Sequence, residues 1–307
     1  MNYQSILEEI EAEIQDELSV GNVADYIPAL AEVDPNQFAM TVTLEDGQQF
    51  SVGKHKEKFS IQSISKVLAF SVAIDIYSTS LYKRVGVEPS GSAFNSLVQL
   101  EYENGVPRNP FINAGAIVVM DALISHFGSD YAALERVMTF IREISDNQNI
   151  QFDGEVAKSE MEHASRNLAL AQLMKSFGNF ENDVYEVVRT YFKQCAIFMT
   201  TEELSRAMLY LAFGGKDPIS NKEFLTSPQA KRMNALMLTC GHYDASGDFA
   251  FNVGLPAKSG VGGGIVAVVP NVMSICVWSP RLNANGNSHV GTLALQKFTT
   301  KTGLSIF

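Results

Sequence analysis

The chain reads as an α+β protein in which an antiparallel sheet, assembled from both chain ends, is flanked by helices and interrupted by a largely helical middle. Three observations predict this class. Near the N-terminus, Asp46-Gly47 joins two alternating segments, Phe38 to Leu44 and Gln48 to Val52, as a hairpin. Between residues 64 and 240 most segments carry helical periodicity or good helix formers. Beyond that, Phe249 to Val253, Gly264 to Val269 and Met273 to Trp278 are short apolar runs bounded by glycine, proline or asparagine, as strands are.

Taken in order, the first element is an acidic amphipathic helix within Met1 to Leu18, with Ile6, Leu7, Ile10, Ile14 and Leu18 at helical spacing. It has no basic segment ahead of an apolar core, so it is not read as a secretion signal. The hairpin follows. Helices are expected over 64–77, 113–127, 130–144, 164–177, 182–194, 201–213 and 228–240, then the three strands, then a last helix near 288–301. There are no internal repeats, low-complexity tracts or long linkers. Residues 1–307 are expected to form one unit, with a sheet part from 1–62 and 225–307 and a mostly helical part from 63–224.

Composition narrows the function. With 307 residues, 46% of them hydrophobic, the chain can bury one large core or two modest ones. A formal charge of −11 repels phosphate backbones, so nucleic acid is not an expected partner and a small molecule fits better. No stretch approaches the roughly 20 uncharged apolar residues of a membrane span. Cys195, Cys240 and Cys276 are widely spaced among apolar neighbours, as buried thiols of a reducing compartment are, which implies the cytoplasm. His55, His126, His163, His242 and His289 show no paired ligand spacing, so neither metal nor organic cofactor is expected.

Chemistry enters with Ser63-Ile64-Ser65-Lys66, which opens the apolar stretch Val67 to Tyr77. A serine and a lysine three apart on a helix share a face, and a desolvated amine there can take the hydroxyl proton, which is the chemistry of acyl transfer. The spacing alone is weak: Ser51-Val52-Gly53-Lys54 and Ser80-Leu81-Tyr82-Lys83 satisfy it too, and Ser63 is equally read as a capping serine beside a solvated lysine. Downstream, Lys258-Ser259-Gly260 leads through Val261-Gly262-Gly263-Gly264 into an apolar run. A lysine, a hydroxyl and a glycine before a strand are similar to the element that accompanies Ser-x-x-Lys in penicillin-recognising enzymes, where two backbone amides hold the developing oxyanion.

Longer blocks carry a closer resemblance. Phe59 to Lys66, Arg108-Asn109-Pro110-Phe111-Ile112-Asn113-Ala114-Gly115-Ala116-Ile117, and Gly254-Leu255-Pro256-Ala257-Lys258-Ser259-Gly260-Val261 with Pro270-Asn271 resemble the serine-dependent glutaminases. So do Asp25-Tyr26-Ile27-Pro28, Ser165-Arg166-Asn167, Tyr191 to Cys195, and Trp278-Ser279-Pro280 with Gly286-Asn287-Ser288. The resemblance runs from about residue 25 to residue 290. It implies a β-lactamase/penicillin-binding-protein-like fold and an amidohydrolase that converts L-glutamine to glutamate and ammonia. It further implies Ser63 as nucleophile, Lys66 as base, and Tyr243 as catalytic and substrate-binding. Asn113, Glu160, Asn167, Tyr191, Tyr26 and the Val261 backbone would contact substrate, and the expected assembly is a homotetramer.

Ordinary readings stand beside these. Asn113 is also placed to cap a helix, Glu162 rivals Glu160 as the acid that holds a substrate ammonium, and Tyr26 sits where simple loop packing suffices. Lys66 and Tyr243 compete as the base for hydrolysis of the acyl-enzyme. Two other classes share the serine and lysine elements: a β-lactamase or peptidoglycan peptidase, against which the absent signal segment counts, and a non-catalytic amino-acid sensor.

Overall fold

Two apolar cores, one on each face of a single sheet, organise the chain. The computed structural model describes residues 1–91 and 96–307. Its first half contains α1 (Tyr3–Glu13), α2 (Pro28–Ala31), β1 (Ala39–Leu44), β2 (Gln49–Gly53), β3 (Phe59–Ser60), α3 (Ser65–Tyr77), α4 (Leu97–Tyr102), α5 (Asn113–Phe127) and α6 (Asp130–Ser145). There follow α7 (Gly154–Glu162), α8 (Ser165–Ser176), α9 (Val184–Cys195), β4 (Phe198–Met199), α10 (Thr201–Ala207), α11 (Leu209–Ala212) and α12 (Ser227–Cys240). The chain closes with α13 (Ser246–Asn252), β5 (Ala257–Ser259), β6 (Gly264–Val269), β7 (Met273–Trp278) and α14 (His289–Thr302).

The five-stranded sheet runs β2-β1-β7-β6-β5, antiparallel throughout. Its centre joins the two chain ends, with Ala39 opposite Trp278 and Leu44 opposite Met273. Side chains alternate between faces. Met40, Val42, Ile265, Ala267, Ile275 and Val277 pack with Leu7 and Ile10 of α1 and Leu295 and Phe298 of α14. Val266, Val268, Cys276 and Trp278 face the helical core. Thr41 and Thr43 also point that way, and their hydroxyls are satisfied by Thr201 at 2.9 Å and Ser205 at 2.7 Å on α10. Buried polar groups that are paired in this way fix register without an unmet hydrogen bond.

Helix α3 is buried from Ser65 to Ile74, as a helix apolar on all sides must be. The helical run Gln62–Lys83 holds an 18-residue stretch with the length and apolarity of a membrane span, but 67% of that stretch is buried inside the protein.

Several elements differ from expectation. Residues 249–253 are not a strand: the segment lies in and just after α13, with Ser246, Phe249 and Val253 buried and Phe251 89% exposed, a helical pattern that the short apolar run concealed. The third C-terminal strand is instead β5, which carries Lys258 and Ser259 ahead of the glycines that lead into β6. The helix expected over 201–213 is broken at Met208 into α10 and α11. Helices α4 and α7 and the short β3–β4 pair were not expected.

Candidate active site

Ser63 occupies a single 3-10 turn, Gln62–Ile64, that runs directly into α3, with Lys66 one turn further on. No side chain caps α3, so Ser63 is not the capping serine of the ordinary reading. Gln62 adopts φ +47°, a left-handed conformation that costs a non-glycine residue about 1 kcal/mol or more. It is held there by its own amide, which donates to Ser60 Oγ and to Glu160 Oε1, each at 2.9 Å.

The Lys66 amine is buried and donates to Asn113 Oδ1 at 2.7 Å and to the Phe111 carbonyl at 3.2 Å. Burial lowers its pKa to about 8. Asn113 is the first residue of α5, not its cap, which is Ile112. Its Nδ2 donates to Asn167 Oδ1 at 2.9 Å, while its Oδ1 also accepts from the Tyr191 hydroxyl at 3.4 Å. That network settles the amide's orientation and turns an acceptor toward Lys66. The Tyr191 ring, buried on α9, lies with its centroid 5.9 Å from the same amine.

Glu160 and Glu162 both sit on α7, but two residues along a helix point apart. Glu160 is buried and Glu162 exposed. Burial raises the Glu160 carboxyl to about 7, against the opposing pull of the Gln62 amide and the Lys66 charge. Tyr243 takes φ +58° in the turn after α12. Burial lifts its phenol to about 12, opposed by the neighbouring Ser63 and Ser259 hydroxyls.

Val261 lies in the tight turn between β5 and β6, whose backbone rests directly on that of the Ser63 turn. A Cβ on Gly260 would stand 2.6 Å from the Ile61 carbonyl and 3.3 Å from the Ser63 nitrogen, and one on Gly262 only 2.2 Å from the Ser60 carbonyl. Glycine is required because main chain meets main chain. Trp278 pins the turn from behind, donating to the Gly262 carbonyl at 3.0 Å and stacking on Phe59 at 5.0 Å.

These residues surround one cavity of about 280 Å³. Ser63, Asn113, Glu160, Asn167, Tyr191, Tyr243 and Val261 line it, and Tyr26, 55% exposed, stands at its edge. Lys66 is not part of the wall but lies behind it, reaching it through Asn113. Ile27, Gln62, His163, Arg166 and Phe192 line the cavity as well. Ile27, Gln62, Arg166 and Phe192 fall within the sequence blocks quoted above; His163 has no signal of its own. Lys258 is absent from the wall and donates to the Gly241 and Ser259 carbonyls at 3.0 and 2.6 Å. Among the described residues no group of three His, Cys, Asp or Glu side chains is placed to hold a metal ion. The three cysteines are unpaired and buried.

A serine hydroxyl and a buried acid on one small cavity, with a buried amine of depressed pKa behind its wall, suit cleavage of a short, charged acyl compound. Residues 21–307 match the family model described as Glutaminase. The chain is 60% identical over 307 residues to a glutaminase of Aliarcobacter butzleri (strain RM4018), covering 100% of both. It is 51% identical to a glutaminase of Rhizobium rhizogenes (strain K84 / ATCC BAA-868), covering 99% of this chain and 98% of the relative. Among solved structures, a Bacillus subtilis glutaminase in covalent complex with 5-oxo-L-norleucine, formed by reaction with 6-diazo-5-oxo-L-norleucine, superposes with a TM-score of 0.90. That protein is 35% identical, with 100% of both chains covered.

Proposed function

We propose that this chain, which belongs to the glutaminase family and is an amidohydrolase, cleaves L-glutamine through an acyl-enzyme on Ser63. The observation that carries the proposal is the environment of Lys66. An amine near pKa 8 is substantially neutral in mildly alkaline water. A neutral amine has two N–H groups, which match its two acceptors, Asn113 Oδ1 and the Phe111 carbonyl. Its lone pair is then left for the Ser63 proton.

Ser63 Oγ attacks the side-chain amide carbon as its proton passes to Lys66. The amides of Ser63 and Val261 receive the oxyanion, a role favoured by the close seating of the glycine turn on the Ser63 turn. Collapse breaks the C–N bond, the Lys66 proton goes to nitrogen, and ammonia departs. Water then hydrolyses the γ-glutamyl ester. Of the two candidate bases for that step, the Lys66 amine near 8 is available at neutral pH, whereas the Tyr243 phenol near 12 holds its proton and donates. Glu160, ionised by an incoming ammonium, anchors the substrate's α-amino group, and Asn113, Asn167, Tyr191 and Tyr26 enclose the remainder.

The Bacillus relative's covalent complex supports a nucleophile in a protein of this family, because the reagent bears its carbonyl at the chain position where glutamine bears its amide carbon. The test is ammonia and glutamate release from L-glutamine by the purified protein and Ser63→Ala, with asparagine as control. Activity in the parent alone establishes the nucleophile; activity retained in Ser63→Ala refutes it. Asparagine, one methylene shorter, is disfavoured by roughly 1–3 kcal/mol. We further propose a cytoplasmic homotetramer, supported by the family membership and the buried thiols; light scattering that gives another mass overturns the tetramer.

A further inference from the structure

We propose that Lys258 is a positioning residue of the reaction, which fixes the Tyr243 turn against the strand end leading to Val261 and thereby holds the phenol beside Ser63. The inference rests on the Ser63 acyl-enzyme reading. Lys258 is fully buried on β5 and does not reach the cavity. Its amine sits 4.4 Å from the centroid of the Tyr243 ring and donates to the Gly241 carbonyl, two residues before Tyr243, and to the Ser259 carbonyl, two residues before Val261. One side chain therefore ties together the two segments that bring a hydroxyl and a backbone amide to Ser63.

The contact it reinforces is unusually close. Gly241 has no room for a Cβ, which would stand 1.7 Å from the Ala257 carbonyl. The Gly241 carbonyl also accepts from Ser259 N at 3.2 Å and Ser259 Oγ at 3.3 Å. The turn's position along the strand is thus set by several bonds. Lys258 also lies against the face of the Tyr243 ring, in a residue whose left-handed backbone favours leaving that conformation. Burial holds the Lys258 amine well below its ordinary pKa, so its grip on the turn is that of a donor to two carbonyls lying against the ring. Its titratable neighbours are Tyr243 and His242 on the turn, Cys240 at the end of α12, and Lys66 and Cys195 across the site.

The experiment is a double-mutant cycle on the intact chain. Lys258→Met removes the amine at similar volume, Tyr243→Phe removes the hydroxyl and keeps the ring, and Lys258→Arg restores N–H donors. Lys258→Met is expected to lower kcat on the order of 10²-fold, with KM within about twofold. In the Tyr243→Phe background the same change should have little further effect, and Lys258→Arg should recover part of the rate. The inference is overturned if kcat is unchanged, or if it falls equally in both backgrounds together with the melting temperature. Ser63→Ala, measured alongside, separates the two failures: a silent Ser63→Ala with a normal Lys258→Met sinks this inference alone, and an active Ser63→Ala sinks the reading beneath it.

Discussion

Replacing Glu160 by glutamine tests the cavity's recognition of an amino acid and its stability together. The carboxylate is the buried acid of the wall and already accepts from Gln62 Nε2 at 2.9 Å. Losing a charge-assisted hydrogen bond to the substrate ammonium costs about 1.5–3 kcal/mol, which raises KM about 10- to 150-fold. Exposed Glu162, changed in the same way, should alter KM by no more than about twofold. The unliganded protein responds in the opposite sense. Folding moves the Glu160 carboxyl from 4.5 to about 7, so between those values the folded chain keeps a proton that the unfolded chain has released. Stability from this group therefore falls as pH rises through that window, by roughly 3 kcal/mol at full ionisation. Glu160→Gln should melt higher than the parent at pH 8, by about 5 °C, and match it near pH 4.5. In the parent, kcat/KM should rise with pH through about 7, and that limb should be missing from the variant. The assays are steady-state ammonia release and thermal melts from pH 4.5 to 8. A larger KM effect at Glu162, or equal melting of parent and variant at pH 8, refutes the reasoning.

Other consequences are sharper in rate or in stability alone. Lys66→Ala should abolish turnover at neutral pH, and in the parent kcat should rise with pH toward a plateau above about 8, as the amine loses its proton; a normal rate in the variant removes the lysine from the mechanism. Gly262→Ala should cost on the order of 10²-fold in kcat by lifting the glycine turn from the Ser60 carbonyl, 2.2 Å from the new Cβ, and an unimpaired enzyme would show that the turn's seating is irrelevant. Asp121, buried on α5, pairs with Arg84 and accepts from the Glu181 and Asn182 backbone amides. Asp121→Ala should destabilise the protein by about 3–5 kcal/mol in denaturant melts while leaving KM unchanged.

The long periodic elements were legible because their patterns are repeated many times: α5, α6, α9 and α14 begin and end within two residues of expectation. Short elements were not. Phe249-Ala250-Phe251 looks like a strand until one sees that Phe251 faces outward while Ser246, Phe249 and Val253 turn inward, a choice set by packing. Helix α7 was hidden by Gly154, which suggests a turn, although Asp153 caps the helix by accepting from the Glu155 and Val156 amides. That omission mattered, since the turn of α7 buries Glu160 in the cavity wall and leaves Glu162 exposed. The resemblance supplied eight of the thirteen wall residues by number, but not the left-handed backbones of Gln62 and Tyr243 or the seating of glycine turn on serine turn, which arise from contacts distant in sequence.

The central pairing of β1 with β7 has a consequence for how the protein comes into being. Its partners, such as Ala39 and Trp278, lie at opposite ends of the chain, so the sheet cannot close until nearly all of the polypeptide has been synthesised. The helices between them condense through local contacts, early and fast, whereas the long-range ladder bears the loop-closure entropy and forms late. A nascent chain thus possesses the Ser63 turn and the helices bearing Asn113 and Glu160 before it possesses Val261. On the proposed mechanism competence waits until the last strands dock, and a chain that stalls or is clipped before β7 keeps the β2-β1 and β6-β5 pairs unjoined, without the strand that brings them into one sheet.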